Sequence, residues 1–251
     1  MNKIKIYLSV ILFLSVLLPN RITNAQTCGF GCLGLSGVYG GYGYQQFNAD
    51  GLNNFIALQD AYSSIALPEI KKFKDAKGFR VGANLIRFDY KDFIFSVKGS
   101  YQLLESKQTA SQNSEQIEND ISATLKLDYW AVGIDFGYSV SSFLDLKFAD
   151  AQVTFHSAKL NLSRSSGSIK YDNEYKTDKS VTGYFIGSGF ILNFVKNYLS
   201  FEATAGYTNF RIKELQDDKN ILIPNGNNNS DLIKSGGLTV FGQLNIGIPL
   251  Y

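Results

Sequence analysis

The 251-residue sequence has few of the residues that usually build metal and catalytic sites. It contains two cysteines and one histidine, and the cysteines lie close together as Cys28 and Cys32 in the stretch TCGFGC. A structural zinc site needs about four ligands, more than this pair and His156 supply. We therefore expect no metal site and no cofactor. A small local disulfide between Cys28 and Cys32 is a candidate, in a compartment where disulfides persist.

The single histidine also limits catalysis. A Ser/His/acid arrangement would have to use His156, with Ser157 or Asp150 nearby in the sequence. Adjacent residues of a strand point to opposite faces, so His156 and Ser157 should not meet. We predict no catalytic residues and no enzymatic activity.

Long apolar runs are confined to the start of the chain. Two lysines precede an apolar run over residues 6–18, and Asn24-Ala25-Gln26 is a plausible cleavage point, which together are typical of a secretory signal peptide. We predict a signal peptide over 1–25 and a mature domain over 26–251. A retained anchor is the weaker alternative, because the run is short. No later run is long enough to cross a membrane as a helix, so a membrane-embedded mature chain would be a barrel.

A strong excess of charge is missing as well. The net charge of the full sequence is +2. Removal of Lys3, Lys5 and Arg21 with the signal peptide leaves about −1 before the new amino terminus is counted. Nucleic-acid binding calls for a basic face or stripe, so we expect no nucleic-acid partner.

What the chain does have is a period-two alternation of apolar and polar residues. In YLSFEATAGYTNFR, residues 198–211, Leu199 and Phe201 alternate with Ser200 and Glu202, as in a strand with two different faces. Segments of this kind follow one another near 33–47, 77–90, 93–110, 118–140, 144–165, 179–195, 198–214 and 236–250.

The connections between these segments are of two kinds. Tight connections lie at 91–92, 141–143 and 196–197, and longer ones lie around 48–76, 111–117, 166–178 and 215–235. Outer-membrane barrels have this asymmetry, with short periplasmic turns and longer extracellular loops. The fold class we predict is all-β: an eight-stranded antiparallel up-and-down transmembrane β-barrel with a short helix in the first long loop.

Aromatic residues bracket the tight turns and end the chain, which predicts an aromatic girdle at the periplasmic rim. Incidental strand aromatics are the alternative interpretation. The girdle residues are Tyr90, Phe93, Tyr138, Phe143, Phe194, Tyr198 and Tyr251.

In such a barrel the apolar faces contact lipid and the polar faces line an interior that eight strands leave just wide enough for side chains. We predict a lumen charge network that forms a salt-bridged plug, with a proton or ion path as the alternative reading. Its members are Lys98, Asp135, Glu202 and Arg80, with Arg87 as the alternative to Arg80.

Two segments fit the alternation less well. In the fourth, the apolar phase changes near Tyr129-Trp130, which predicts a bulge. In the fifth, at 144–165, the pattern does not fix the register.

The first long loop contains a helical pattern. Asp50 is a candidate cap and Pro68 a stop, and Leu52, Phe55, Ile56 and Tyr62 recur at helical spacing. This apolar face predicts a lid packed over the barrel mouth, or else a contact for a partner or ligand.

The signal peptide, the loop asymmetry, the Gly/Tyr-rich first strand GLSGVYGGYGYQQF and the aromatic terminus IGIPLY resemble those of small outer-membrane β-barrel proteins of Gram-negative bacteria, of the OmpA-transmembrane-domain or OmpX type. The resemblance implies an outer-membrane location among lipid and lipopolysaccharide, recognition by the outer-membrane assembly machinery, and a monomer.

The functional reading is a structural or surface-interaction scaffold for adhesion, defence or envelope integrity, with long loops open to a surface partner. A narrow, porin-like channel or small-solute transport barrel is one alternative, which needs a water-filled lumen or ten or more strands. A soluble secreted lipocalin-like binding barrel is the other, which needs an apolar interior.

Overall fold

The computed structural model describes residues 37–62, 68–114, 117–195, 198–223, 231–234 and 236–247. The predicted signal peptide, Cys28, Cys32 and Tyr251 lie outside them. The elements are β1 (Gly37–Gln46), α1 (Asp50–Tyr62), β2 (Asp75–Tyr90), β3 (Phe93–Ser114), β4 (Ile117–Ser141), β5 (Leu144–Ser166), β6 (Ile169–Lys176), β7 (Val181–Val195), β8 (Leu199–Asn209), β9 (Arg211–Ile212), β10 (Ile233–Lys234) and β11 (Gly237–Gly247). Within these residues, no helix combines the length and apolar character that a membrane crossing requires.

Eight of the strands close into an antiparallel barrel in the order β1-β2-β3-β4-β5-β7-β8-β11, and β11 pairs with β1 to complete the ring. This confirms the predicted fold class. Tight turns join β2 to β3 at Lys91-Asp92 and β4 to β5 at Ser142-Phe143, at the same end as the Gly37–Gly247 pair of the first and last strands. We call this end the turn end and the opposite one the loop end.

Near the turn end, the barrel has polar residues inside and apolar residues outside, the reverse of a soluble barrel. On β8, Ser200, Glu202 and Thr204 are buried inside, whereas Leu199 and Tyr207 are exposed on the outer surface. Polar residues that line the interior and apolar residues that cover the exterior are the pattern of a membrane barrel.

Along β4, the apolar residues change from the outer face of the barrel to its inner face. Between Trp130 and the turn end, the apolar residues face outward: Val132, Ile134, Phe136 and Val140. Between Trp130 and the loop end, the apolar residues face inward: Ile121, Ala123, Leu125 and Leu127.

No bulge produces the inversion. The β3–β4 register runs unbroken from Phe93↔Tyr138 to Ser114↔Ile117, so the bulge expected at Tyr129-Trp130 is wrong. The strand keeps its phase, and it is the residues of the outer face that change, from apolar below Trp130 to polar above it.

The fifth segment combines the same inversion with a true bulge. The β4–β5 pairing shifts between Phe136↔Ala149 and Gly137↔Lys147, which adds one residue to β5. Further along β5, Ala158, Leu160 and Leu162 are buried inside. One bulge and one inversion within a single strand explain why the sequence pattern of residues 144–165 gave no register.

At the loop end the strands continue as a sheet that covers an apolar core. β6 extends this sheet by pairing with β5 after a turn at Gly167, whose φ of 56° suits glycine. We call this part the cap, and its buried core is formed by Phe47, Ala49, Leu52, Phe55, Ile56, Phe73, Ala76, Leu104, Ile121, Ala123, Leu125, Leu127, Tyr129, Ala131, Ala158, Leu160, Leu162, Phe210, Ile212, Leu215, Ile223, Leu232 and Ile233.

Helix α1 lies within the cap, where the sequence placed it. Its first N–H, that of Asp50, donates to Asn48 Oδ1 at 2.9 Å, so Asn48 and not Asp50 supplies the capping acceptor. The Asn53 amide exchanges two hydrogen bonds with the backbone of Phe73, at 3.1 and 2.9 Å. Leu52 N–H donates to Leu232 O at 3.1 Å. These bonds tie the helix to the connecting segments that lead into β2 and β10.

Candidate functional site

The barrel interior holds a cluster of five charged side chains at its centre. Lys98 Nζ lies 2.5 Å from Asp135 Oδ2, 3.1 Å from Glu202 Oε1 and 3.5 Å from Asp150 Oδ2. Lys147 Nζ contacts Asp135 at 3.2 Å, Asp150 at 2.7 Å and Glu202 at 2.5 Å, and it donates to Thr204 Oγ1 at 3.1 Å. All five are buried. We call them the ion cluster.

Arg80 balances the charge of the ion cluster. Arg80 Nη2 donates to Gln152 Oε1 at 3.2 Å, and Gln152 Nε2 donates to Asp150 Oδ1 at 2.7 Å. The guanidinium carbon of Arg80 lies 3.9 Å from the centre of the Phe241 ring, which is a cation–π contact. With Arg80, three cations face three carboxylates and the formal charge is zero, as burial in a low-dielectric interior requires.

Bulges decide which charges point inward. The β2–β3 pairing shifts between Asn84 and Ile86, which brings Arg87 to the interior alongside Arg80, although one number is even and the other odd. The β5 bulge does the same for Lys147 and Asp150. Regular alternation would place Lys147 and Asp150 on opposite faces. The sequence therefore did not indicate Lys147 as a lumen charge, and it suggested Asp150 only as a possible partner of His156.

A second polar group lies nearer the turn end. Asp145 accepts hydrogen bonds from Ser139 Oγ at 2.7 Å and from Asn193 Nδ2 at 2.9 Å, and it contacts Arg87 Nη2 at 3.5 Å. A cavity of about 20 Å³ lies between this group and the ion cluster, and another of about 40 Å³ lies nearer the strand ends.

The three carboxylates of the ion cluster are also the donor set most like a metal site. Their nearest oxygens lie within 4.8 Å of one another. The ammonium groups of Lys98 and Lys147 lie among those oxygens, so the arrangement is that of an ion-pair network.

His156 lies in an aromatic environment at the border of the cap. Its ring stacks on Phe210 at 4.1 Å and lies 4.7 Å from Tyr129, and Nε2 lies 2.8 Å from Thr154 Oγ1. Ser157 Oγ lies 3.2 Å from Ser180 Oγ on the other face of the strand. The structure therefore does not bring His156 and Ser157 together.

The apolar residues predicted on the loop helix face inward. Leu52, Phe55 and Ile56 are buried in the cap core, and Phe55 packs edge-on against Tyr175 at 5.5 Å. The side chain of Tyr62 lies outside the described part of the structure. This apolar face is therefore covered by the cap core.

Most of the predicted girdle residues lie on the outer surface near the turn end. Exposed there are Tyr90, Phe93, Phe143, Phe194 and Tyr198. Tyr138 is half-buried, with its ring edge-on to Phe93 at 5.4 Å.

A second aromatic row, which sequence reasoning missed, lies where β4 inverts. Tyr101, Trp130 and Phe155 are cross-strand neighbours, and the rings of Tyr101 and Trp130 are 4.6 Å apart. From Trp130 to Tyr138 the strand covers about 26 Å. At a tilt of about 40° this gives a band about 20 Å tall, close to the apolar band of outer-membrane barrels.

Comparisons with known proteins give no family assignment. No family model matches the chain, and no curated protein matches it. Among solved structures, the chain is similar to Ail, the attachment invasion locus protein of Yersinia pestis, with 16% identity, a TM-score of 0.38 and coverage of 85% of this chain and 99% of that one. The same protein in complex with the heparin analogue sucrose octasulfate gives 13% identity, a TM-score of 0.35 and the same coverage. The outer membrane protease OmpT of Escherichia coli gives 10% identity, a TM-score of 0.42 and coverage of 85% and 94%.

Proposed function

We propose that the protein is an integral outer-membrane barrel that displays a folded cap at the cell surface and acts as a structural or surface-interaction scaffold. The inversion at Trp130 carries this proposal, because one continuous strand has an apolar outer face below that residue and a polar one above it. The turn end then faces the periplasm and the loop end the exterior. On this proposal the signal peptide over 1–25 is removed, and the barrel is a monomer folded by the outer-membrane assembly machinery.

The filled lumen favours a scaffold over a channel. The ion cluster crosses the barrel centre, and the apolar core of the cap lies above it. The cavities below it, about 20 and 40 Å³, have room for one to about three waters each, since a water needs about 10–15 Å³. A solute path would require these groups to move apart.

The edges of the cap sheet support a role in surface interaction. Within the described residues, β2 pairs with β3 no further than Glu105, which leaves Ser106–Gln112 without a partner on that side. On its second side, β6 makes one bridge to another described residue, between Lys176 and Gln216. Unpaired edges offer backbone N–H and C=O groups to an added strand, so an extended segment of a surface partner could bind there.

Fractionation and cysteine labelling test the proposal. In a mature chain with Cys28→Ser and Cys32→Ser, a membrane-impermeant maleimide added to intact cells should label Lys107→Cys on the outer face of the cap sheet and spare Val132→Cys in the apolar band. The protein should fractionate with the outer membrane, and its gel mobility should shift on boiling. Purification without detergent, or equal labelling of the two variants, would refute the proposal.

A further inference from the structure

The polar space at the turn end is divided from the rest of the interior. The larger cavity is lined by the strand ends Gly37, Val195, Tyr198 and Gly247 together with Ser200. The smaller one reaches Asp135, Lys147 and Glu202 of the ion cluster. Asn84, Arg87 and Asn245 line both cavities, so the two are neighbours in one column.

Polar groups line the column at both cavities, beside the apolar side chains of Ile94 and Ile191 at the smaller one. Asn245 Nδ2 donates to Ser200 Oγ at 3.2 Å beside the larger cavity, and Ser96 Oγ donates to Asp135 Oδ2 at 2.9 Å beside the smaller one. Cavities of this size with several polar partners hold water, whereas apolar ones stay dry.

The ion cluster closes the inner end of the column. Beyond it, Arg80 packs over Phe241, and the Phe185 and Phe241 rings lie 5.4 Å apart. The apolar core of the cap follows, and neither of the two cavities extends past the ion cluster toward the loop end.

We propose that the turn end of the barrel is a one-ended water pocket, which admits water and probes of similar size as far as the ion cluster and no further. The ion cluster is thus hydrated from one side only. This inference goes beyond the scaffold function and does not depend on it.

Pairs of serines or threonines on either side of the ion cluster allow a matched test. On β3, Ser96 and Ser100 face inward on the two sides of Lys98 and are similarly buried. Ser96 lines the smaller cavity, whereas Ser100 lines neither cavity. In the refolded mature chain with Cys28→Ser and Cys32→Ser, each is changed to cysteine and exposed to Ag⁺, whose size is close to that of water. Unreacted thiol is counted after denaturation.

The thiol of Ser96→Cys should react with Ag⁺, and that of Ser100→Cys should react at least about tenfold more slowly, because a sealed thiol reacts only through local opening of the structure. A bulky thiol reagent should modify neither variant. Equal reaction of both with Ag⁺ would mean that the lumen is wet throughout, and reaction of neither would mean that the column is dry. Either result overturns the proposal.

A second pair on β8 repeats the test on the opposite wall. Ser200 lies beside the larger cavity, and Thr208 faces inward beyond the cluster, where its hydroxyl contacts that of Thr239 at 2.7 Å. Ser200→Cys should react and Thr208→Cys should not. A shift in gel mobility on boiling shows for every variant that the barrel is folded, and the β8 pair decides the question if a β3 variant fails that check.

Discussion

Lys98 and Glu202 meet across the lumen: Lys98 Nζ lies 3.1 Å from Glu202 Oε1, and the strands that carry them, β3 and β8, stand four places apart in the eight-stranded ring. They therefore belong to opposite walls. The side chains of both are buried, so the pair ties the two walls together out of contact with bulk water.

Removal of Lys98 should weaken the barrel markedly. Lys98→Met leaves Asp135, Asp150 and Glu202 with Lys147 as their one remaining ammonium partner in the cluster. Loss of one member of a buried ion pair typically costs about 3–5 kcal/mol, and we expect a loss of this size in the free energy of unfolding. Denaturant unfolding of the refolded barrel in detergent micelles measures it.

The control is an exposed pair outside the lumen. Lys126 Nζ lies 3.9 Å from Glu105 Oε2, with both side chains about half exposed, and Lys126→Met should change the free energy of unfolding by less than about 1 kcal/mol.

Because Lys98 and Glu202 share partners, Lys98→Met combined with Glu202→Gln should cost less than the two single changes added together. Equal effects of Lys98→Met and Lys126→Met would show that the cluster does not stabilise the barrel.

The sequence was sufficient to predict the features that follow from regular alternation. The strand order, the tight turns at 91–92 and 142–143, helix α1 and the inward direction of Lys98 and Glu202 all depend on period two, period 3.6 or turn residues. The tight turn predicted at 196–197 lies outside the described residues. These patterns are local, and nothing in the tertiary structure opposes them.

The features that sequence reasoning missed depend on contacts with other strands. Lys147 and Asp150 share a face because β5 carries an extra residue opposite β4, and a lone strand pattern does not show where that residue lies. At Trp130 the same local signal, a change of apolar phase, arose from a different cause. The apolar residues move from the outer face of an unbroken strand to its inner face, and the pattern alone does not distinguish this from a bulge.

Truncation of Phe55 should loosen the cap and leave the barrel closed. Phe55 is buried between the cap core and Tyr175, and Phe→Ala changes in packed cores cost about 3–5 kcal/mol. Limited proteolysis should therefore cut Phe55→Ala faster within residues 47–74, while its mobility still shifts on boiling. Asn54→Ala, an exposed position on the same helix, should be cut like the parent. Loss of the mobility shift in Phe55→Ala would show instead that the cap and the barrel fold as one unit.

His156 should behave as a packing residue. Its ring is buried between Phe210 and Tyr129, so His156→Ala should lower the free energy of unfolding by about 2–5 kcal/mol through the cavity that it leaves. His156→Phe keeps the stacked ring and gives up the contact with Thr154, a hydrogen bond worth about 1 kcal/mol. We expect it to cost less than His156→Ala in the same unfolding assay. The reverse order would show that the polar contact matters more than the ring.

The position of the membrane boundary gives the sharpest prediction, because the outer face of β4 is apolar on one side of Trp130 and polar on the other. Ile134 and Thr124 both point outward, but they lie on opposite sides of Trp130. An arginine near the middle of the apolar band costs about 2–4 kcal/mol, so Ile134→Arg should lower the free energy of unfolding in lipid vesicles by that amount. Thr124→Arg, on the water-facing side, should stay within about 0.5 kcal/mol of the parent. If Thr124→Arg destabilises the barrel as much as Ile134→Arg, the boundary is not at Trp130 and the apolar band extends into the cap; if neither does, the outer face of β4 does not contact lipid.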